Sequence, residues 1–174
     1  MNDKQIEAML ASCLFTKRHF RGVFPSDKIP TVRKLGRKPL GFVCNLDPSN
    51  KAGSHWVAFY FPGGKNGTPE YFDSYGRKAS LPSFKRKLGR KYLHNPLVLQ
   101  SPFSVVCGQY CIYFLLKRAK GVPYRKILAS FDPKDPEGND FAVNEFIETH
   151  FDIDLSVYDF DYLGKQIAKA LSKQ

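Results

Sequence analysis

Three side chains in this chain stand in settings where together they could carry out thiol chemistry. Gln100-Ser101-Pro102-Phe103-Ser104-Val105-Val106-Cys107-Gly108 leads directly into Gln109-Tyr110-Cys111-Ile112-Tyr113-Phe114-Leu115-Leu116. The apolar run reads as the start of a buried helix, which places Cys107 at a helix N-terminus. There the unpaired backbone N–H groups and the positive end of the helix dipole favour thiolate over thiol. Upstream, Gly53-Ser54-His55-Trp56-Val57-Ala58-Phe59-Tyr60-Phe61 puts a histidine at the mouth of a strand, and Glu70-Tyr71-Phe72-Asp73-Ser74-Tyr75-Gly76 puts a carboxylate at the end of another. A nucleophile, a base and a group to orient the base are the parts that covalent acyl transfer needs.

The elements that must position them follow from pattern and punctuation. Leu40 to Leu46 reads as a buried strand, Trp56 to Phe61 as the next, and a Gly-rich hairpin at 62–67 leads to a third over Glu70 to Asp73. These three predict an antiparallel sheet. A first helix is expected from about Lys4 to Phe15, capped by Asp3, with Ile6, Met9, Leu10 and Leu14 on one face and Cys13 packed beside it. Phe20 to Pro30 is extended and turn-rich. A helix opening at Ser80 with Pro82 in its first turn runs to about Lys91, and Pro96 to Gln100 reads as a short strand. Beyond the Cys107 helix, Pro123 starts a short helix, Asp132 to Gly138 is a loop, Asn139 or Asp140 caps a helix through Glu148, and a last helix spans Tyr158 to Ser172.

Length and composition bound the rest. A chain of 174 residues fits one domain with a single core. Nothing near the N-terminus resembles a targeting signal, and no apolar stretch approaches the ~18 residues that a membrane span needs, so no membrane partner is expected. Cys13, Cys44, Cys107 and Cys111 show no metal-type spacing, which points to free thiols in a reducing, intracellular compartment and to no metal site. Cys44 and Cys111 lie in apolar runs and read as packing, and His19, His94 and His150 lack the strand-and-aromatic setting of His55.

The net charge of +11 is uneven. Through residue 100 there are 18 Lys+Arg against 6 Asp+Glu, and from 101 onward 9 against 10. The excess concentrates in Arg33-Lys34 with Arg37-Lys38, and in Lys85-Arg86-Lys87 with Arg90-Lys91. Such clusters attract phosphates by charge neutralisation and counterion release, so DNA is the partner they would take; a solvated basic surface is the plainer reading.

The order His-Trp, then an acid 18 positions on, then Gln and Cys-Gly seven apart, resembles the adenovirus-type cysteine proteases (adenain) and, more distantly, the SUMO-deconjugating proteases of the same clan. The matching stretch runs from about Phe20 to Leu116. The resemblance implies an α+β cysteine peptidase over residues 1–174: a central, mainly antiparallel sheet flanked by helices, with the nucleophile at the N-terminus of a buried helix. It implies His55 as general base and Asp73 as its orienter. Gln100 would be the side-chain oxyanion donor beside the backbone N–H of Cys107, and Trp56 a screen over the imidazole.

Two departures stand out. The acid is Asp73, as in the SUMO-protease branch, where adenovirus proteases have Glu. Those enzymes are also activated by DNA and by a viral peptide disulfide-linked to a cysteine ahead of the Gln-Cys segment, and this chain has no cysteine between Arg77 and Val106. A peptide tethered there by a disulfide is excluded; a non-covalent viral peptide or DNA is not. The resemblance points to proteases of DNA viruses and Maverick or Polinton elements. It implies protein substrates among capsid and core precursors, a monomer, no cofactor for the chemistry itself, and a place in the virion, host nucleus or viral factory. A deconjugase of a ubiquitin-like modifier and a nucleic-acid-binding module on a protease fold are the alternatives.

Overall fold

A computed structural model describes residues 1–30, 38–64 and 67–152. The fold is α+β. Its sheet has five strands, β1 Phe20–Phe24, β2 Leu40–Asn45, β3 Trp56–Phe61, β4 Glu70–Phe72 and β5 Leu93–His94, in that spatial order. The central pairs β2·β3 and β3·β4 are antiparallel, as expected, whereas β1 joins β2 and β5 joins β4 in parallel.

The near-continuous apolar runs of β2 and β3 follow from burial on both faces. Phe42, Cys44, Val57, Phe59 and Phe61 point to one side with Tyr71, and Val43, Ala58 and Tyr60 to the other with Phe72. The second side is covered by α3, Cys107–Ala119, which is in turn flanked by α1 (Asp3–Ser12), α4 (Tyr124–Leu128) and α5 (Pro136–Phe151). Phe72 stacks on Phe114 at 4.7 Å. Gly41 lets the helix approach closely, since a Cβ there would lie 2.7 Å from Leu115 Cδ2. The first side is covered by α2, Pro82–Leu88, through Phe84 and Leu88. A seven-residue helix has little stability of its own. Burying Phe84 against Phe59, at 5.0 Å edge to face, contributes about 1.5–3 kcal/mol and holds it down.

Several boundaries differ from expectation for local reasons. Asn2, not Asp3, caps α1: its side chain accepts from Gln5 N–H at 3.0 Å and Gln5 Oε1 accepts from Asn2 N–H at 2.8 Å. The helix stops at Ser12, so Leu14 is exposed instead of packed. Gly89 ends α2 with φ +75°, leaving Arg90 and Lys91 beyond it. Asp135 caps α5, accepting from Gly138 N–H at 2.9 Å with Pro136 at the first position, so Asn139 and Asp140 lie inside the helix and are buried. The segment Pro96–Gln100 joins no ladder: Asn95 closes a turn on Leu97, and the N–H groups of Leu99 and Gln100 both donate to Ser74 C=O. The last expected helix, 158–172, and Arg33, Lys34 and Arg37 of the first basic cluster lie outside the described residues. Among the described residues no helix is long and apolar enough to cross a membrane.

Candidate active site

His55 occupies the position just before β3. Its backbone C=O accepts from Leu46 N–H at 3.0 Å, and the turn ahead of it is set by Asn45 Oδ1, which accepts from Asp47 N–H at 2.9 Å and Ser54 N–H at 3.2 Å. Asp73 follows β4. Because β3 and β4 are antiparallel, the start of one lies beside the end of the other, and His55 Nε2 meets Asp73 Oδ1 at 2.8 Å. The same oxygen accepts from Tyr75 N–H at 2.9 Å. Asp73 C=O is held twice, by Gly76 N–H at 2.9 Å and by Asn95 Nδ2 at 2.9 Å. The turn is tight enough to require glycine: Gly76 has φ +70°, and a Cβ would fall 2.7 Å from the Leu97 backbone. Asp73 Oδ2 is buried and has no hydrogen-bond partner among the described residues.

Cys107 is the first residue of α3, and no side chain caps that terminus. With Nε2 of His55 committed to Asp73, Nδ1 is the nitrogen left for the Cys107 thiol, the imidazole's other electrostatic partner. His55 is only 6% exposed, and burial alone would pull its pKa down. The hydrogen bond with Asp73, and the negative charge of Asp73 and Cys107, outweigh burial and push it up to about 9. The imidazole therefore carries a proton at neutral pH. Burial pushes Cys44 up to about 12 and Cys111 well above its ordinary value.

Cys107 opens onto a cleft of about 640 Å³, whose walls include Met1, Phe24, Asn45, Gly53 and Trp56. Gln100 is buried beside the turn that follows Asp73. Its Oε1 accepts from Ser74 Oγ at 2.7 Å, and its Nε2 donates to Ser104 C=O at 3.1 Å and Ser104 Oγ at 3.2 Å. The carbonyl of Ser104 fixes which end of the amide is nitrogen. The ring that lies against the imidazole is Tyr75, at 4.9 Å and 32°, and the Arg77 guanidinium lies over the Tyr75 ring at 5.0 Å from its centroid. Trp56, expected there, instead directs its indole N–H to Met1 C=O at 3.4 Å.

No family model and no curated protein matches this chain. Among solved structures it is similar to the crystal structure of a selenomethionine form of the ASFV pS273R protease, with 21% identity and a TM-score of 0.45. The likeness covers 61% of this chain and 43% of that one, so the chain spans less than half the length of that protein.

The second basic cluster sits on the other side of the sheet. Lys85 and Arg86 on α2, with Arg90 and Lys91 after it, are exposed, and α2 packs on the face opposite α3. Lys87 differs from its neighbours: it is half-buried and donates to Pro30 C=O. Among the described residues no three His, Cys, Asp or Glu side chains are grouped to hold a metal ion. The chain's four cysteines are all unpaired. Residues around the site that the motifs did not disclose are Tyr75 as the imidazole's neighbour, Asn95, Ser104 and Asp140. Tyr75 and Ser104 lie within segments whose pattern pointed to the site; Asn95 and Asp140 do not.

Proposed function

We propose that this chain is a cysteine endopeptidase that cuts capsid and core precursor proteins of a virus or virus-like element. The observation that carries the reading is one imidazole hydrogen-bonded to a buried carboxylate, with the thiol at the start of a helix as its other electrostatic partner. In the reaction, the Cys107 thiolate forms an S–C bond to the scissile carbonyl carbon, and the carbonyl electrons move onto oxygen. The Cys107 backbone N–H and one hydrogen of the Gln100 amide stabilise that oxygen, the other amide hydrogen staying with Ser104. Collapse breaks the C–N bond, and the leaving amine takes its proton from His55. Water, deprotonated by His55, then attacks the thioester, and collapse breaks the S–C bond, releasing the acid and restoring the thiolate beside a protonated His55. Asp73 keeps Nδ1 aimed at sulfur and stabilises the imidazolium throughout. The cycle needs no metal or cofactor.

The precursor substrates, a monomeric state, and a site of action in the virion, nucleus or viral factory rest on the motif resemblance. DNA as activator rests on the resemblance and on the exposed Lys85, Arg86, Arg90 and Lys91. The test is acylation by p-nitrophenyl acetate together with cleavage of a peptide library followed by mass spectrometry, with and without duplex DNA. Wild type should acylate once, at Cys107, and cut a defined set of peptides. Cys107→Ala should do neither, and His55→Ala should be slowed in both. Acylation spread over several cysteines, or peptide cleavage that survives Cys107→Ala, would refute the proposal.

A further inference from the structure

Asp140 is a buried carboxylate, 33 residues beyond the nucleophile, that the chemistry above does not use. Its contacts all converge on the segment carrying Gln100. Asp140 Oδ2 accepts from Ser101 N–H at 3.2 Å, and Oδ1 accepts from Tyr110 O–H at 2.9 Å. That phenol has one hydrogen and shares it with Leu99 C=O, also at 2.9 Å. Asn139, the preceding residue of α5, donates from Nδ2 to the same Leu99 carbonyl at 3.1 Å. The Ser104 hydroxyl donates to Ser101 C=O at 3.2 Å, which ties it to the residue whose N–H Asp140 receives. Ser104 in turn receives the Gln100 amide on both its carbonyl and its hydroxyl.

Both peptide neighbours of Gln100, and the group that receives its side-chain N–H, are thus tied to one corner of α5. We infer that Asp140, acting with Tyr110 and Ser104, is a positioning residue that aims the Gln100 amide at the oxyanion formed on Cys107. The inference rests on the peptidase reading. Its consequence is selective. A misaimed amide slows reactions that pass through an oxyanion and leaves untouched a displacement at sulfur that forms none. Asn at 140 preserves the clamp, because its oxygen still accepts from Ser101 and its NH₂ donates to the phenol oxygen, freeing the phenol hydrogen for Leu99.

Two reagents at Cys107 separate these effects. p-Nitrophenyl acetate acylates the thiolate through a tetrahedral oxyanion, with S–C bond formation and loss of p-nitrophenolate. Iodoacetamide alkylates it by displacement of iodide. Asp140→Ala and Tyr110→Phe should lower the acylation rate on the order of 10- to 100-fold and leave alkylation unchanged. Asp140→Asn should restore acylation, and Asp140→Ala should add little to the loss already caused by Gln100→Ala. The inference is overturned if Asp140→Ala acylates like wild type, if it loses alkylation in equal measure, or if Asp140→Asn is as slow as the alanine variant. If wild-type Cys107 reacts selectively with neither reagent, the peptidase reading falls, and hydrogen exchange then decides the clamp separately. The Ser101 amide should exchange slowly in wild type and Asp140→Asn and rapidly in Asp140→Ala; equal exchange in all three overturns it.

Discussion

Replacing Asp73 with asparagine isolates what the carboxylate does for His55. The imidazole's rise from 6.5 to about 9, against a burial effect of opposite sign, amounts to about 3 kcal/mol of preference for the charged ring. Because the folded value is raised, the imidazolium is the majority form below about 9 and is lost as pH climbs through that value. The unfolded chain releases the same proton near 6.5. Between 6.5 and 9 the fold retains a proton on His55 that the unfolded chain has released, so this shift makes stability fall as pH rises across that window, but a stability curve sums every group that titrates there. Kinetics with two leaving groups is the better assay. An anilide needs His55 to protonate the departing amine, so its kcat/KM should fall on the alkaline side near pH 9; p-nitrophenolate leaves unaided, so the ester should show no such fall. In Asp73→Asn the burial effect is left facing only the Cys107 contact, and the alkaline limb of the anilide should move towards neutrality. An anilide limb that stays near 9 in the variant, or lies near 6.5 in wild type, would refute the assignment of Asp73 as the source of the shift.

Other expectations concern selectivity and scaffold. With its thiol pushed to about 12, Cys44 should be thiolate in only about 10⁻⁵ of molecules at pH 7, so iodoacetamide should alkylate Cys107 far ahead of Cys44 and Cys111, as peptide mapping will read. Phe84→Ala should destabilise the fold by about 3–5 kcal/mol in urea titrations, because it empties the contact that holds α2 to the sheet. Arg118 donates to both oxygens of buried Glu70, at 2.7 and 2.9 Å, so Arg118→Met should cost about 3–5 kcal/mol at neutral pH. Burial already raises the Glu70 pKa with Arg118 present, so part of the Arg118→Met loss should return on acidification, and a loss independent of pH would argue against the pair as its cause.

The central strands and the places of His55, Asp73 and Cys107 in the fold were legible because each sits where a strong periodic signal begins or ends. His55 opens the apolar run of β3, Asp73 closes that of β4, and Cys107 precedes ten consecutive buried residues, itself included, in α3. The parallel edge strands were not legible: β5 is two residues long and carries no period, and β1 lies in a turn-rich stretch. Leu97-Val98-Leu99 has the composition of a strand, yet its amides are claimed by a single carbonyl, Ser74, which no local pattern announces. The Asp-Pro pair at 135–136 was the true start of α5, and missing it hid the inward turn of Asn139 and Asp140. Tyr75 displaces Trp56 over the imidazole because β3 carries the Trp56 side chain to the α1 end of the site, against Met1.

The geometry also constrains how a polyanion on the basic cluster could influence turnover. Lys85 and Arg86 lie across the sheet from Cys107, so a phosphate bound there cannot act on the site directly; at that remove a surface charge is screened within about 10 Å at ordinary salt. The chain offers a mechanical route instead. Everything from Asp73 to Asn95, α2 included, is a single excursion whose two ends are joined by the bond from Asn95 Nδ2 to Asp73 C=O at 2.9 Å. Asn95 is fully buried, and its remaining bonds fix Leu97, two residues before the Ser74 contacts that seat Leu99 and Gln100. Beside the Phe84–Phe59 contact, the β4·β5 ladder and the bond from Lys87 to Pro30, a load on α2 thus has a path to Asp73 and to the Gln100 segment through this one side chain. If DNA on this cluster changes turnover, Asn95→Ala should weaken that effect; an effect undiminished in the variant would place the route through the Phe84 contact with β3 instead.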